Sequence, residues 1–181
     1  RGFVLPEVYD LATRLGELVL QAEAEPTRAS CASLYLRFLL RYPLGPRRLD
    51  QHLNFLVDNL AYAVPAGRES LLRLFRDAAS KLPLTLLHER WERMLLPLVS
   101  CLVNEEDHRC RDAVATTVRV LVARVGAVEG DGACAQARSR IVSLLGTWFD
   151  EASLVRAAAQ LSELLVEALG RRGRILLAPK L

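Results

Sequence analysis

The chain has 181 residues, a length that suits one domain or one run of structural repeats. Hydrophobic residues make up 51% and charged residues 25% of it, which excludes an intrinsically disordered tail. The formal net charge of +3 is too small to require a nucleic-acid or membrane partner. Leu and Ala dominate while aromatic residues reach only 6%, so the composition predicts an all-α fold with an aliphatic core.

Pro and Gly divide the chain into eight helix-sized blocks in which apolar residues recur at helical spacing. The predicted helices cover residues 6–23, 27–42, 49–62, 67–82, 86–103, 107–125, 133–149 and 153–169. A glycine-containing turn is predicted at 170–173, followed by the start of a further helix at 174–181. The chain lacks an initial Met and begins a new apolar segment near its end, so we expect it to be cut from a longer protein.

Alternate blocks contain an arginine near their start, and these arginines are 40, 43 and 45 residues apart: Arg28, Arg68, Arg111 and Arg156. Three positions further on lie small or apolar residues: Cys31, Leu71, Val114 and Ala159. A period of this length with two helices per unit is typical of HEAT repeats. We therefore predict an α-solenoid of about four HEAT-like antiparallel helix pairs, at about 6–42, 49–82, 86–125 and 133–169. The second helices would stack through these positions; a plain antiparallel bundle is the alternative.

The third repeat contains the clearest local signals. Pro97 lies inside a predicted helix and should bend it, because proline removes a backbone donor and crowds the preceding turn. Asp107 precedes the next predicted helix and can cap it.

No pattern of a catalytic or metal site is present. The three histidines are scattered, no HExxH or phosphate-binding loop occurs, and the four cysteines show no CxxC spacing. We therefore expect no enzymatic activity, no cofactor, no metal and no disulfide. The longest apolar stretch, residues 95–103, is far shorter than the roughly 20 residues of a membrane span.

Basic residues cluster in the segments between the predicted helix pairs, and these are the candidate RNA or phosphate contacts: Arg47, Arg48, Arg171, Arg172 and Arg174. Arginine in an exposed turn can bind phosphate through two parallel hydrogen bonds. The alternative is that basic residues at helix ends only complement the helix dipole.

Seven short sequence motifs occur in order along the chain: residues 38–45 (FLLRYPLG), 53–56 (LNFL), 59–62 (NLAY), 67–70 (GRES), 86–89 (LLHE), 97–98 (PL) and 102–104 (LVN). Together they resemble the C-terminal half of the U-three small nucleolar RNA-associated protein twenty family, also called down-regulated in metastasis. The match is clear over about residues 30–122, and it continues more weakly through 147–149.

The resemblance implies a long HEAT-repeat scaffold of the nucleus and nucleolus that belongs to the small-subunit processome and supports early processing of the 18S ribosomal RNA precursor. Its implied partners are other processome proteins and pre-ribosomal or small nucleolar RNA, with no membrane and no small-molecule substrate. The resemblance implies no catalytic residues. The competing interpretation is a HEAT-repeat adaptor that binds a protein or peptide, of the transport or phosphatase-scaffold type.

Overall fold

A computed structural model describes residues 5–126 and 132–177. Within those residues all regular structure is helical, which confirms the predicted all-α class. The described helices are α1 Pro6–Gln21, α2 Glu25–Arg41, α3 Pro46–Asp58, α4 Pro65–Lys81, α5 Leu84–His88, α6 Trp91–Asn104, α7 His108–Gly126, α8 Gly132–Asp150, α9 Val155–Leu169 and α10 Arg171–Leu177. None of these helices combines the length and apolar character of a membrane span. The chain forms two compact units, residues 1–81 and 82–181.

Prolines and one aspartate begin several of the helices. Pro6 and Pro46 are the first residues of α1 and α3, where the fixed φ of proline suits a helix and its missing N–H removes no helical bond. Asp107 precedes α7, and its side chain accepts hydrogen bonds from the backbone N–H groups of Arg109 and Cys110 at 3.0 and 3.1 Å. The predicted cap is therefore confirmed. Pro97 lies inside α6, as predicted.

The predicted helix at 86–103 is wrong in its first part, because the chain leaves the helix between α5 and α6. Arg90 has φ −128°, and the side chains of Arg90 and Trp91 are both buried. The Arg90 guanidinium donates to the carbonyl of Leu86 at 3.2 Å and to the Glu89 carboxylate at 2.6 Å. Hydrophobic spacing carries no signal for this break.

In the first unit, α2 packs against both α1 and α4. Its core is made of side chains that are at most 1% exposed, among them Tyr35, Leu71, Leu72 and Phe75. In the second unit, α7 packs against α6, α8 and α9. The core of that unit is almost entirely aliphatic, and its fully buried side chains include Leu95, Leu98, Val114, Leu121 and Leu161.

An arginine at the fourth position of α2, α4 and α7 makes the same contact in each case. Arg28 donates to the carbonyls of Ala22 and Glu23, the residues six and five positions before it, at 2.8 and 2.7 Å. Arg68 makes the same bonds to Tyr62 and Ala63, at 2.6 and 3.2 Å.

Arg111 repeats this contact with Glu105 and Glu106, at 2.6 and 3.5 Å. The carbonyls at the end of a helix have no partner within that helix, and these guanidinium groups satisfy carbonyls of the segment that connects it to the next helix. We call Arg28, Arg68 and Arg111 the carbonyl-binding arginines.

The predicted register is wrong in the fourth repeat. Helix α9 begins at Val155, so its fourth residue is Ala158 and not Arg156. Ala158 and Leu161 are fully buried, whereas Arg156 and Ala159 are exposed. The connection of residues 151–154 delays the start of α9, and a regular spacing of arginines cannot reveal that delay.

The predicted turn at 170–173 is also wrong, because α10 begins at Arg171 instead of 174. Gly170 has φ +58°, a conformation that suits glycine, and it alone makes the reversal between α9 and α10. Gly173 lies inside α10, where a Cβ would come within 2.6 Å of the Leu165 carbonyl oxygen. The second glycine therefore allows close helix packing and does not form a turn. The part of the predicted helix at 178–181 lies outside the described residues.

Candidate nucleic-acid interface

Arg47 and Arg48 lie in the first turn of α3, directly after Pro46, and both side chains are exposed. The prediction of an irregular turn at this position is wrong, because Pro46 begins a helix there. Both side chains are exposed to solvent, but Arg48 does not project freely, because its guanidinium lies 3.8 Å from the centre of the Tyr9 ring.

The position of these arginines disagrees with the helix-dipole explanation. The start of a helix carries partial positive charge, so acidic side chains are favoured there and basic ones are not. The first turn of α3 contains no acidic residue and two arginines. An interaction with the helix dipole therefore does not explain why arginines occupy these two positions.

Aromatic rings surround the start of α3. The Arg48 guanidinium carbon lies 3.8 Å from the centre of the Tyr9 ring, a cation–π contact. Tyr9 in turn packs edge-on against Phe38 and Tyr42, with ring centres 6.1 and 5.6 Å apart. The guanidinium of Arg48 thus lies over a cluster of aromatic rings from α1, α2 and the residue that follows α2.

A cavity of about 160 Å³ opens beside this contact. Tyr9, Tyr35 and Phe55 provide its aromatic walls, and Arg48, Gln51 and His52 provide polar side chains. Gly16 lies where α1 meets α3, and a Cβ there would be 2.9 Å from the Phe55 ring. The absence of that Cβ lets the Phe55 ring lie against α1, at one wall of the cavity.

Within the cavity, the Tyr35 hydroxyl is 2.9 Å from Nδ1 of His52. Burial raises the pKa of Tyr35 well above its ordinary value, so the hydroxyl stays protonated. Burial, together with the positive charge of Arg48, lowers the pKa of His52, so this imidazole is neutral at neutral pH. A Tyr35 hydroxyl that donates to Nδ1 leaves the ring proton of His52 on Nε2, where it is a hydrogen-bond donor.

The second set of candidate contacts lies on α10, in the other unit. Arg171 begins the helix, and Arg174 follows three residues later, so the two side chains lie on the same side of it. Both are exposed. The side chain of Arg172 lies outside the described part of the chain.

His88 and Cys134 lie close together in the second unit. His88 Nε2 is 3.2 Å from the carbonyl oxygen of Val125 and 3.6 Å from Sγ of Cys134. Cys134 is fully buried. Over residues 5–126 and 132–177, no group of three His, Cys, Asp or Glu side chains could hold a metal ion.

The sequence interpretation missed the aromatic cavity, although Tyr9, Tyr35 and Phe55 are among the few aromatic residues of the chain. They are distributed over three helices, so no local spacing connects them. The available signal was the concentration of aromatic residues in the first third of a chain with few aromatic residues.

Comparison with known proteins identifies relatives of the whole chain. It is 30% identical over 174 residues to the U3 small nucleolar RNA-associated protein 20 of Schizosaccharomyces pombe, an alignment that covers 94% of this chain. It is 29% identical over 125 residues to the protein of the same name from Saccharomyces cerevisiae. The chain spans only 7% and 5% of the lengths of these two relatives.

Other comparisons add little. No protein-family model matches the chain. A crystal structure of an engineered protein aligns with 94% of this chain and 71% of its own, at 14% identity and a TM-score of 0.45, which is too low to support a conclusion. The identity along nearly the whole chain shows that the chain belongs to the family of the U3 small nucleolar RNA-associated protein 20.

Proposed function

We propose that this chain is a structural segment of a scaffold that helps to assemble the small ribosomal subunit in the nucleolus. The observation that carries the proposal is the 30% identity with the fission-yeast U3 small nucleolar RNA-associated protein 20 over 94% of this chain. The name of that relative connects it with a small nucleolar RNA. For this chain we infer a role in the small-subunit processome and in early 18S precursor processing.

The scaffold form that we propose is a HEAT-like α-solenoid. Two features support it: α2 packs on α4 and α7 packs on α9, as second helices of neighbouring pairs would. The carbonyl-binding arginines also make equivalent bonds in three successive helix pairs. In such a stack each pair buries apolar surface on its neighbours.

We further propose that the chain contacts RNA through exposed basic side chains on α3 and α10. Arg47 and Arg48 on α3, and Arg171 on α10, lie in first turns, where the helix dipole disfavours positive charge, and Arg174 is exposed in the last turn of α10. Phosphate contacts would position RNA without reading its sequence. Arg172, on the same helix as Arg171, belongs to this proposal by sequence alone.

A non-catalytic role is part of the same proposal, without a cofactor or a small-molecule substrate. Two of the three histidines make contacts that suit a structural role: His52 with the Tyr35 hydroxyl, and His88 with the Val125 carbonyl.

Affinity purification tests the proposed function. A tagged protein that carries this chain should enrich U3 small nucleolar RNA and 18S precursors over an unrelated small nuclear RNA. The matched control replaces the core residue Val114 by Asp, which should unfold the second unit and reduce this enrichment. Equal recovery of U3 and the unrelated RNA from the parent protein would overturn the proposal.

A second candidate function is the peptide adaptor. A groove of about 220 Å³ runs between α2 and α4, lined by apolar Leu36 and Leu74 and by charged Glu25, Arg73 and Asp77. Enrichment of a protein partner that survives ribonuclease treatment and is lost on Ala29→Glu substitution, at an exposed position of the same groove, would favour this candidate.

A further inference from the structure

The cavity beside Arg48 has the volume for one planar ring. Its volume is about 160 Å³, and an engineered apolar cavity of about 150 Å³ is large enough to bind benzene. Its aromatic walls come from Tyr9, Tyr35 and Phe55.

The polar side chains of the cavity favour a ligand that carries negative charge and accepts hydrogen bonds. Arg48, Gln51 and His52 can all donate, and no carboxylate lines the cavity among the described residues. Arg47, one residue before Arg48, adds a second exposed positive charge beside it. A planar ring attached to a phosphate matches both the charge and the volume of the cavity.

Arg48 provides a surface for stacking. Its guanidinium carbon lies over the Tyr9 ring, 3.8 Å from the ring centre, while the side chain itself is exposed to solvent. Unpaired RNA bases stack on aromatic rings and on arginine guanidinium planes.

We propose that this cavity binds one unstacked base of single-stranded RNA. The base stacks on the Arg48 guanidinium and is bounded by Tyr35 and Phe55, while Gln51 and His52 donate to its edge and Arg47 contacts the adjoining phosphate. This base site deepens the proposed function and rests on its RNA-binding part.

Fluorescence anisotropy with a labelled oligouridylate of about ten nucleotides tests the site, since single-strand sites commonly cover 4–16 nucleotides. An abasic strand of the same length and charge is the second probe. The parent chain should bind the abasic strand about tenfold more weakly, because stacking of a single base contributes roughly that much.

Two pairs of variants separate base stacking from charge. Arg48→Lys keeps the charge and loses the planar group, so it should still weaken oligouridylate binding, and Arg48→Gln, which also loses the charge, should weaken it further. Gln51→Trp should block the cavity without a change in charge, whereas Asn54→Trp, at an exposed position of the same helix outside the lining, should bind like the parent.

Three results would overturn the base site: equal affinity for the abasic strand, full affinity of Arg48→Lys, or equal affinity of both tryptophan variants and the parent. Failure of the parent to bind oligouridylate at all would also overturn it. A side chain of a protein partner would then be the alternative occupant of the cavity. The proposed function fails separately, through loss of U3 enrichment in affinity purification.

Discussion

At the scale of single residues, His52 makes the stability of the first unit depend on pH. Its pKa is lowered in the folded chain, mainly by burial and in part by Arg48, so protonation favours the unfolded state. The contribution of His52 is complete above the unfolded pKa of about 6.5 and is lost progressively as the pH falls below it.

His52→Gln should therefore reduce this pH dependence. We expect the free energy of unfolding of the parent to fall between pH 7.5 and pH 5.5 by more than that of the variant, as measured by urea unfolding at both pH values. The exposed His108→Gln serves as the control and should fall like the parent. Parallel losses in the His52→Gln variant and the parent would contradict the expectation.

Arg28 connects three elements through one side chain. It is 8% exposed, bonds to the carbonyls of Ala22 and Glu23, and donates from Nε to the Ser70 hydroxyl of α4 at 3.0 Å. Removal of the guanidinium leaves part-buried acceptors without their charged donor.

Arg28→Gln should lower the free energy of unfolding by about 2 kcal/mol, the contribution of hydrogen bonds to a charged group. Arg37→Gln, an exposed arginine on the same helix, should change it by less than about 0.5 kcal/mol. Chemical denaturation measures both variants, and equal stability of the two would show that the Arg28 contacts contribute nothing.

At the scale of elements, the predicted equivalence of Val114 in α7 and Ala159 in α9 can be tested. Val114 is fully buried in α7, whereas Ala159 is exposed on α9. Val114→Asp should bury an unpaired charge and cost at least about 3 kcal/mol, while Ala159→Asp should cost less than about 0.5 kcal/mol. Thermal melting followed by circular dichroism compares them. Similar melting temperatures of the two variants would support the register expected from arginine spacing, in which Ala159 is equivalent to Val114.

The contact between α9 and α10 depends on Gly173. Because a Cβ at this position would lie 2.6 Å from the Leu165 carbonyl and 2.8 Å from the Val166 Cα, the two helices must separate. Gly173→Ala should destabilise the second unit by about 2 kcal/mol, the usual cost of overpacking. Gly132→Ala, where a Cβ meets nothing within 4 Å, is the control for chemical denaturation. No loss relative to that control would contradict the close packing.

At the scale of the whole molecule, salt should weaken RNA binding in proportion to the number of phosphate contacts. For single strands the slope of log affinity against log salt changes by about 0.7 per contact. Arg47→Glu/Arg48→Glu should therefore reduce the slope by at least about 0.7, the contribution of the phosphate contact at Arg47, in binding isotherms at several salt concentrations.

The control for this measurement is Arg37→Glu/Arg93→Glu, which changes the net charge equally at two exposed positions elsewhere. An equal change of slope in both variants would mean that only the total charge matters. An unchanged slope in both variants would mean that Arg47 and Arg48 do not contact RNA.

Composition and local pattern were enough to predict the helical class, the presence of Pro97 inside a helix and the cap at Asp107. Each of these depends on residues within a turn or two of one another. The spacing of Arg28, Arg68 and Arg111 was also visible in the sequence, although the carbonyl contacts that explain it were not. The resemblance to the family was also visible in the sequence, because it rests on short motifs that occur in order along the chain.

Tertiary structure decided what depends on distant residues. The close approach at Gly173 depends on contact with α9, and neither it nor the break at Arg90 leaves a periodic signal. The delayed start of α9 moved Ala158 and Leu161 into the core in place of Ala159. The aromatic cavity was hidden for the same reason: Tyr9, Tyr35 and Phe55 come from three helices and meet only when those helices pack.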